Sequence, residues 1–442
     1  MSASTFLIRG GTLVGTNGSR RADVLVVDGR IEEVSASMDA PSGATVLDAS
    51  GCIVGPGLVD LHTHLREPGR EEAETIHSAS HAAAVGGYTA VVAMPNTEPA
   101  CDDASVVADV LARARGAACD VAVAGAITVG REGRLLAPMA EMAALGVVIF
   151  TDDGNGVQDG DLMRRALEYA KGLGVTCAQH CEDSVIAAGG VMHEGAWSSR
   201  LGLRGQPGLA EEAMVARDLG LVALTGASMH FLHLSVPAAV RLVAAARKRG
   251  LAVTCEVAPH HLALTDAACS AYDPTFKVNP PLRPADWVDE LVELLREGAF
   301  DAVATDHAPH PPEAKDLPFD DAPPGMLGLQ HAVGITVEAL GGVGRLDPVS
   351  LFGLLSRRPA AIARLRDHDP RPGGQSAQGG DLSAGSAANL CVIDLESPLE
   401  VTPASIASRS SNSPYLGRTL PVTVRHTILR GVPTVRDGIP AW

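Results

Sequence analysis

Apolar and polar positions along this chain follow two patterns. From residue 5 to 54 they alternate with period two, in runs such as FLIRGGTLV, DVLVVDGRIEEVSAS and TVLDASGCIV, broken by Gly and Asn turns. That alternation predicts short strands. The stretch from about residue 387, with NLCVIDLES and TVRHTILRGVPTVRDG, reads the same way. Between these ends, short apolar runs alternate with longer segments of helical period. Eight runs are strand candidates: 58–64, 89–95, 120–127, 146–152, 175–181, 229–235, 252–258 and 301–307. Apolar residues at i, i+3 and i+4 predict helices in most intervals, as at 72–86, 103–116, 160–172, 236–249 and 285–297. Strand–helix repetition implies a parallel sheet. Eight such units fit a closed (β/α)8 TIM-like barrel better than an open doubly wound sheet. An open sheet should carry a Gly-rich loop after its first strand, whereas Gly55-Pro56-Gly57 precedes it here.

The expected fold is therefore α/β: a barrel over 55–368, with a small β-sandwich domain built from both chain ends, 1–54 plus 387–442. A connection rich in Gly, Ser and Pro over 369–386 is expected to be flexible.

Charge narrows the function. The net charge is −17, and only four of the 35 basic residues are lysine: Lys171, Lys248, Lys277 and Lys315. With no basic run, neither nucleic acid nor an anionic membrane surface is an expected partner. The eight cysteines are scattered without a CxxC pair, and the start MSASTFLIRGG lacks a signal-peptide core. No apolar run reaches 18 residues. Reduced cysteines and a cytoplasmic location are the expectation.

The candidate chemistry lies at the predicted strand ends, which converge on one mouth in such a barrel. His62 and His64 end the first strand, two apart and so on one face. The second contributes Asn96, the fourth Asp152-Asp153, the fifth His180 and the sixth His233. The eighth contributes Asp306-His307 and then His310, and only the third brings nothing. Four imidazoles (His62, His64, His180, His233) and two carboxylates suit Zn2+. Six ligands are too many for one tetrahedral ion but suit two ions sharing a carboxylate and a hydroxide. Two Zn2+ against two carboxylates and one hydroxide leave a charge of about +1 for an anionic substrate. The fourth strand ends in Asp152-Asp153 and offers no lysine, so an aspartate must bridge. Asp153 is preferred, although spacing alone does not separate it from Asp152. His77, His81, His230, Cys177, Cys181 and the pair His260-His261 are assigned structural roles, with His230 pointing away from the site.

At this point the motifs resemble those of the bacterial class I dihydroorotases of the amidohydrolase superfamily. The matching pieces are DLHTHLREPG (60–69), ETIHSASHAAAVGGYTAVVAMPNTEP (74–99), FTDDG (150–154), QHCED (179–183), HLS (233–235), EVAPHHL (256–262), KVNPPLR (277–283) and ATDHAPH (304–310). The resemblance implies His62, His64 and Asp306 on one metal, His180 and His233 on the other, and Asp153 between them. It implies that His64, Arg66, Asn96, Asn279 and His310 contact the substrate, with the backbone of Pro324-Gly325 covering it. The implied reaction is reversible ring closure of N-carbamoyl-L-aspartate to L-dihydroorotate, a step of pyrimidine (UMP) synthesis, with Asp306 carrying the proton. Pro324 stands where an aromatic residue is common, so loop 311–327 is expected to close differently. Gln330 replaces a common acidic residue. A homodimer and docking on aspartate transcarbamoylase are assembly options that the sequence leaves open. Two rivals are kept. One is an allantoinase- or dihydropyrimidinase-type enzyme, which would use a carboxylated lysine. The other is an inactive dihydroorotase-like scaffold, which would have lost metal ligands.

Overall fold

A computed structural model describes residues 5–366 and 377–442. Eight parallel strands form the barrel: Leu58–Thr63, Tyr88–Ala93, Asp120–Val123, Ile149–Phe150, Thr176–Gln179, Ser228–Phe231, Val253–Val257 and Ala302–Val303. The first three pair in order, and so do the last five. Parallel bridges Gly125↔Phe150 and Thr63↔His307 join the two sets into a closed ring. The expected barrel is borne out. The fourth and eighth strands are shorter than their apolar runs, because the chain leaves the ladder early to deliver Asp152-Asp153 and Asp306 to the mouth.

Every residue of the first two strands is buried, as both faces of a barrel strand must be. Alternate residues serve two layers. Leu58, Tyr88, Val91, Phe150, Met229 and Phe231 pack outward under the helices. Val59, Leu61, Ala90, Val92, Ala178, Leu232 and Ala304 fill the interior. Ala360, Ala363 and Leu365 join that inner cluster. The Ser356 hydroxyl donates to the Gly57 carbonyl at 2.6 Å, so this plug sits at the strands' N-terminal end. The C-terminal end is left for chemistry. Helices Ile76–Val85, Ala104–Arg113, Gly160–Leu173, Pro237–Lys248 and Ala285–Arg296 wrap the outside where helical period predicted them. Two start on aspartate caps: Asp103 accepts from Ser105 and Val106, and Asp159 from Asp161 and Leu162.

Both chain ends share one nine-stranded sheet. Thr5–Val14 pairs with Ser19–Val27 on one side, and with Thr45–Asp48 and then Cys52–Pro56 on the other. Cys52–Pro56 pairs in turn with Leu390–Asp394 from the far end of the chain. The sheet folds over a core of Phe6, Ile8, Val24, Val26, Leu47, Val54, Leu390, Val392 and Ile428. Of the connection expected over 369–386, residues 369–376 lie outside the described ones. Gln378 is buried and donates to the Asp120 carboxylate at 3.0 Å while accepting from Thr89 at 2.6 Å. Among the described residues, no helix is long and apolar enough to cross a membrane.

Sheet and barrel meet closely at Gly55, where a Cβ would lie 2.3 Å from the Phe352 ring. Gly55→Ala is expected to lower stability by about 1–3 kcal/mol through overpacking. A thermal melt with an unchanged midpoint would show that the sheet yields there instead.

Candidate metal centre

His62 is the last residue but one of the first strand, and His64 lies just beyond the strand, kept in line by the His64 amide bond to the His307 carbonyl. The fourth strand ends at Phe150, and its next residues divide their work. Asp152 turns to the neighbouring loop, accepting from the Ile127 and Thr128 amides at 2.9 and 3.0 Å and from the Thr128 hydroxyl. Asp153 turns into the mouth. Its Oδ1 lies 3.4 Å from His62 Nε2, 3.6 Å from His180 Nδ1 and 3.6 Å from His233 Nε2, and its Oδ2 lies 3.6 Å from His64 Nε2. Asp306 Oδ1 approaches His64 Nε2 at 3.1 Å and His62 Nε2 at 3.5 Å. Two groups of potential ligands result, His62–His64–Asp153 and Asp153–His180–His233, with the one carboxylate in common.

The charges need a cation. Burial would raise the Asp153 carboxyl, yet His62, His180 and His233 hold it well below its ordinary value. Burial likewise opposes charge on His62, but Asp153, Asp306 and Glu256 outweigh it and raise the imidazole well above its usual range. His180 is driven up to about 10 against its own burial by Asp153 and Glu182. Asp306 is held low against burial by His62, His64 and His233. Carboxylates drawn down and imidazoles drawn up in one place mark a site whose groups favour opposite charge close by. The buried His62 Nε2 and Asp153 Oδ1 have no hydrogen-bond partner, as fits donor atoms that serve a cation.

The remaining predicted residues surround these groups. A cavity of about 190 Å³ is lined by His64, Arg66, Asn96, Asp153, His180, His233, Asn279, Asp306, His310, Pro324 and Gly325, among others. It is smaller than the roughly 300–1,000 Å³ of pockets for drug-sized ligands, which suits a small ring compound. Asn96 accepts from His64 Nδ1 at 2.7 Å and donates to Asp153 Oδ2 at 3.2 Å, so its amide orients both groups. Asn279 donates to Glu182 at 2.6 Å. Arg66 donates through Nε to the Pro309 carbonyl at 3.1 Å. His310 donates to the Pro324 carbonyl at 2.9 Å. Burial, then Arg66 and Lys315, push this imidazole down to about 2, so it is neutral. The loop over the site is tied by Lys315, which donates to the Pro274 and Pro323 carbonyls at 3.0 and 2.8 Å. Gln330 lies apart, bonded to Ser405 and Ala407.

Two readings of the sequence need correction. The third strand does contribute: the loop after it carries Arg131, whose guanidinium donates to the Asp153 carbonyl at 3.0 Å. His230 does not point away. It lies buried and bonds Glu256 Oε2 at 3.0 Å, while Glu256 Oε1 accepts from His62 Nδ1 at 3.0 Å. A carboxylate that fixes the far nitrogen of a metal-facing imidazole sets its tautomer and aim. Sequence reasoning missed Glu256, although a lone acid inside the apolar run AVTCEVA was visible. Glu182, two residues past His180, was also passed over. It accepts from Asn279 and Gln206, and is drawn down to about 2 against burial by His180, Asn279 and Gln206. His260 and His261 belong to neither ligand group, and His261 bonds the Pro280 carbonyl. His81 stacks on Trp442 on the first helix's outer side.

A closed eight-stranded barrel with this mouth, carried beside a sheet made from both chain ends, defines the metal-dependent amidohydrolase class. Solved structures share the architecture: L-hydantoinase from Arthrobacter aurescens superposes with a TM-score of 0.87 at 26% identity, covering 99% of this chain and 97% of that one. Dihydropyrimidinase from Brevibacillus agri NCHU1002 gives a TM-score of 0.84 at 23% identity, covering 99% and 96%, a likeness of fold. Sequence is more discriminating. The dihydro-orotase-like family profile matches residues 51–237. Dihydroorotases of Pelotomaculum thermopropionicum and Mycobacterium tuberculosis are 44% and 46% identical over 435 residues, covering 98% of this chain and 99% and 98% of theirs. The chain belongs to the dihydroorotase family, and it is an enzyme of the cyclic-amide hydrolase type.

Glu256→Gln keeps the size of the side chain but replaces the carboxylate behind His62. It is expected to weaken divalent-ion binding by about 10–100-fold, read by titrating the metal-free protein. An affinity equal to the parent's would reduce Glu256 to packing.

Proposed function

We propose that this enzyme interconverts N-carbamoyl-L-aspartate and L-dihydroorotate, using two zinc ions held by His62, His64, His180, His233 and Asp306 around the shared Asp153. The observation that carries the reading is that single carboxylate facing four imidazoles, in a chain with dihydroorotase relatives over nearly its full length. When bound, the metals supply an activated water at neutral pH and positive charge for the carbonyl oxygen.

The protein's own groups do the rest. Asp306 stands beside His62 and His64 at the rim of the cavity, where its carboxylate can accept the proton of the attacking water. It then passes that proton to the departing ring nitrogen, and ring closure uses the same group in reverse. Arg66, though burial and then Arg70 bring it down to about 10, stays cationic at neutral pH. Its fork, anchored through Nε, offers its remaining N–H groups to the substrate carboxylate. Asn279 and His310 complete the binding wall, and Pro324-Gly325 form its roof. The backbone at Arg66, His233 and Asp306 is left-handed, with φ of 63°, 31° and 47°. Strain of that kind in non-glycine residues collects where function needs it.

The allantoinase or dihydropyrimidinase alternative is weaker because the fourth strand runs into Thr151-Asp152-Asp153 and offers no lysine there. Lys171 donates to the Thr225 carbonyl on the barrel's outer side. The scaffold alternative is weaker because every expected ligand is present. A cytoplasmic location belongs to the same reading, supported by eight free, buried cysteines.

Zinc-loaded protein is expected to open L-dihydroorotate, followed by loss of ring absorbance. No turnover at full metal loading would end the proposal. Asp306→Asn should keep much of the metal yet lose kcat by about three orders of magnitude or more. A near-normal rate would remove Asp306 as the proton carrier. Arg66→Met should raise KM for dihydroorotate far more than it lowers metal content, and an unchanged KM would make the fork structural.

A further inference from the structure

The substrate wall of the proposed site comes from three separate places: Arg66 after the first strand, His310 after the eighth, and Gly325 in the loop above. One short extended segment touches all three regions. Along 408–412, Ser408, Ser410 and Asn412 are buried, while Arg409 and Ser411 between them are exposed. A strand-like period of two thus turns one edge of the segment into the protein. Ser408 bonds the Glu74 carboxylate, and the Ser410 hydroxyl donates to the Ala73 carbonyl at 2.6 Å, holding the loop that follows Arg66.

Asn412 does the most. Its Nδ2 donates to the carbonyls of Ala308 and Gly325, both at 3.1 Å, and its Oδ1 accepts from the His310 amide at 3.1 Å. Its own carbonyl accepts from the Leu327 amide at 3.1 Å. Both amide hydrogens and the side-chain oxygen are therefore used, and each partner lies in a loop of the site or beside it. Gly325 has no slack: its φ is 137°, and a Cβ there would lie 2.7 Å from the Ala308 Cβ and 2.8 Å from His310 Nε2. A roof that close needs a fixed spacing between the two strands of backbone, and an amide donating to both carbonyls sets it.

We infer that Asn412 is a positioning residue for substrate binding, which clamps the His310 loop to the Gly325 roof. This rests on the function proposed above. Asn412 reaches none of the proposed metal ligands, so metal loading should not depend on it. The roof also keeps independent ties, Lys315 to the Pro323 carbonyl and the Gly325 amide to the Lys277 carbonyl at 2.9 Å. Loss of Asn412 should therefore misplace the roof without unfolding the loop.

The test compares Asn412→Ala and Asn412→Asp in the zinc-loaded, full-length protein with L-dihydroorotate. Asn412→Asp preserves size and the acceptor for the His310 amide but loses both donors, so it stands in if the alanine variant does not fold. Thr427→Val serves as the control, since Thr427 is a buried residue of the end sheet that donates to Ala84 far from the mouth. The clamp variants are expected to raise KM about tenfold or more, with kcat within about threefold and zinc content equal to the parent's. The control should lower the melting temperature alone. If both Asn412 variants melt earlier but keep the parent's KM, the clamp is merely structural and the inference is overturned. If the parent itself leaves dihydroorotate intact, the proposed function fails, and this inference fails with it.

Discussion

A buried carboxylate surrounded by imidazoles is the constraint on which this structure depends. Asp153 is 2% exposed and meets four histidines from three other strand ends. Its charge would be costly in an apolar interior unless cations or protons balance it. The barrel supplies the geometry for that balance. Parallel strands in a closed ring bring residues 62, 153, 180, 233 and 306 to one rim, where no local structure could. The closing bridge between Thr63 and His307 lies beside the site itself, so the same contact that closes the ring adjoins His62, His64 and Asp306.

The supports behind these groups are also charged and buried. Asp60, one turn of the pleat below His62, accepts from Thr63 and Thr305 and so joins the first and eighth strands at the level of the ligands. Burial raises Asp60 to about 6, so its partners offset only part of the cost of burying it. Glu256 differs. Despite full burial it is drawn down to about 2 by His230 and His62. One carboxylate thus joins strands through neutral hydroxyls, while the other holds an imidazole ready to face a cation. The same residue type performs two tasks because its neighbours differ.

Much of this was legible in the sequence, for stated reasons. Alternation of short apolar runs and helical segments gave eight strands in the right places, because barrel strands are buried on both faces and helices on one. Residues at strand ends could be listed, since the fold sends them to a common mouth. What resisted reading was anything that depends on which way a side chain leaves the strand. Asp152 and Asp153 are neighbours in sequence, and only the backbone turn after Phe150 sends one to Thr128 and the other to the histidines. His230 was misplaced because counting three residues back from His233 assumes a regular strand. The left-handed backbone at His233 breaks that count. Arg131 was invisible because it lies eight residues past Val123, in a loop whose path no period encodes.

The position of the Asn412 segment bears on why the end sheet belongs to this enzyme at all. A barrel alone could gather the ligands around Asp153. Ties within the barrel's own loops, such as the Gly325 amide to the Lys277 carbonyl and Lys315 to the Pro323 carbonyl, hold the roof in part, and the strap adds a hold from outside them. The chain leaves the sheet strand at Asp394, crosses the rim through 408–412 and returns to the sheet at Thr423. The sheet thus anchors both ends of a strap laid over the mouth. Gly325 has no side chain, and the Pro324 carbonyl accepts from His310, so the backbone carries the contacts of this loop. Asn412 holds the carbonyls of Ala308 and Gly325 from outside the barrel. With Asn412 inferred to be the clamp, two dependences separate: the placing of the candidate ligands on ring closure, and the height of the roof on a strap anchored in the sheet.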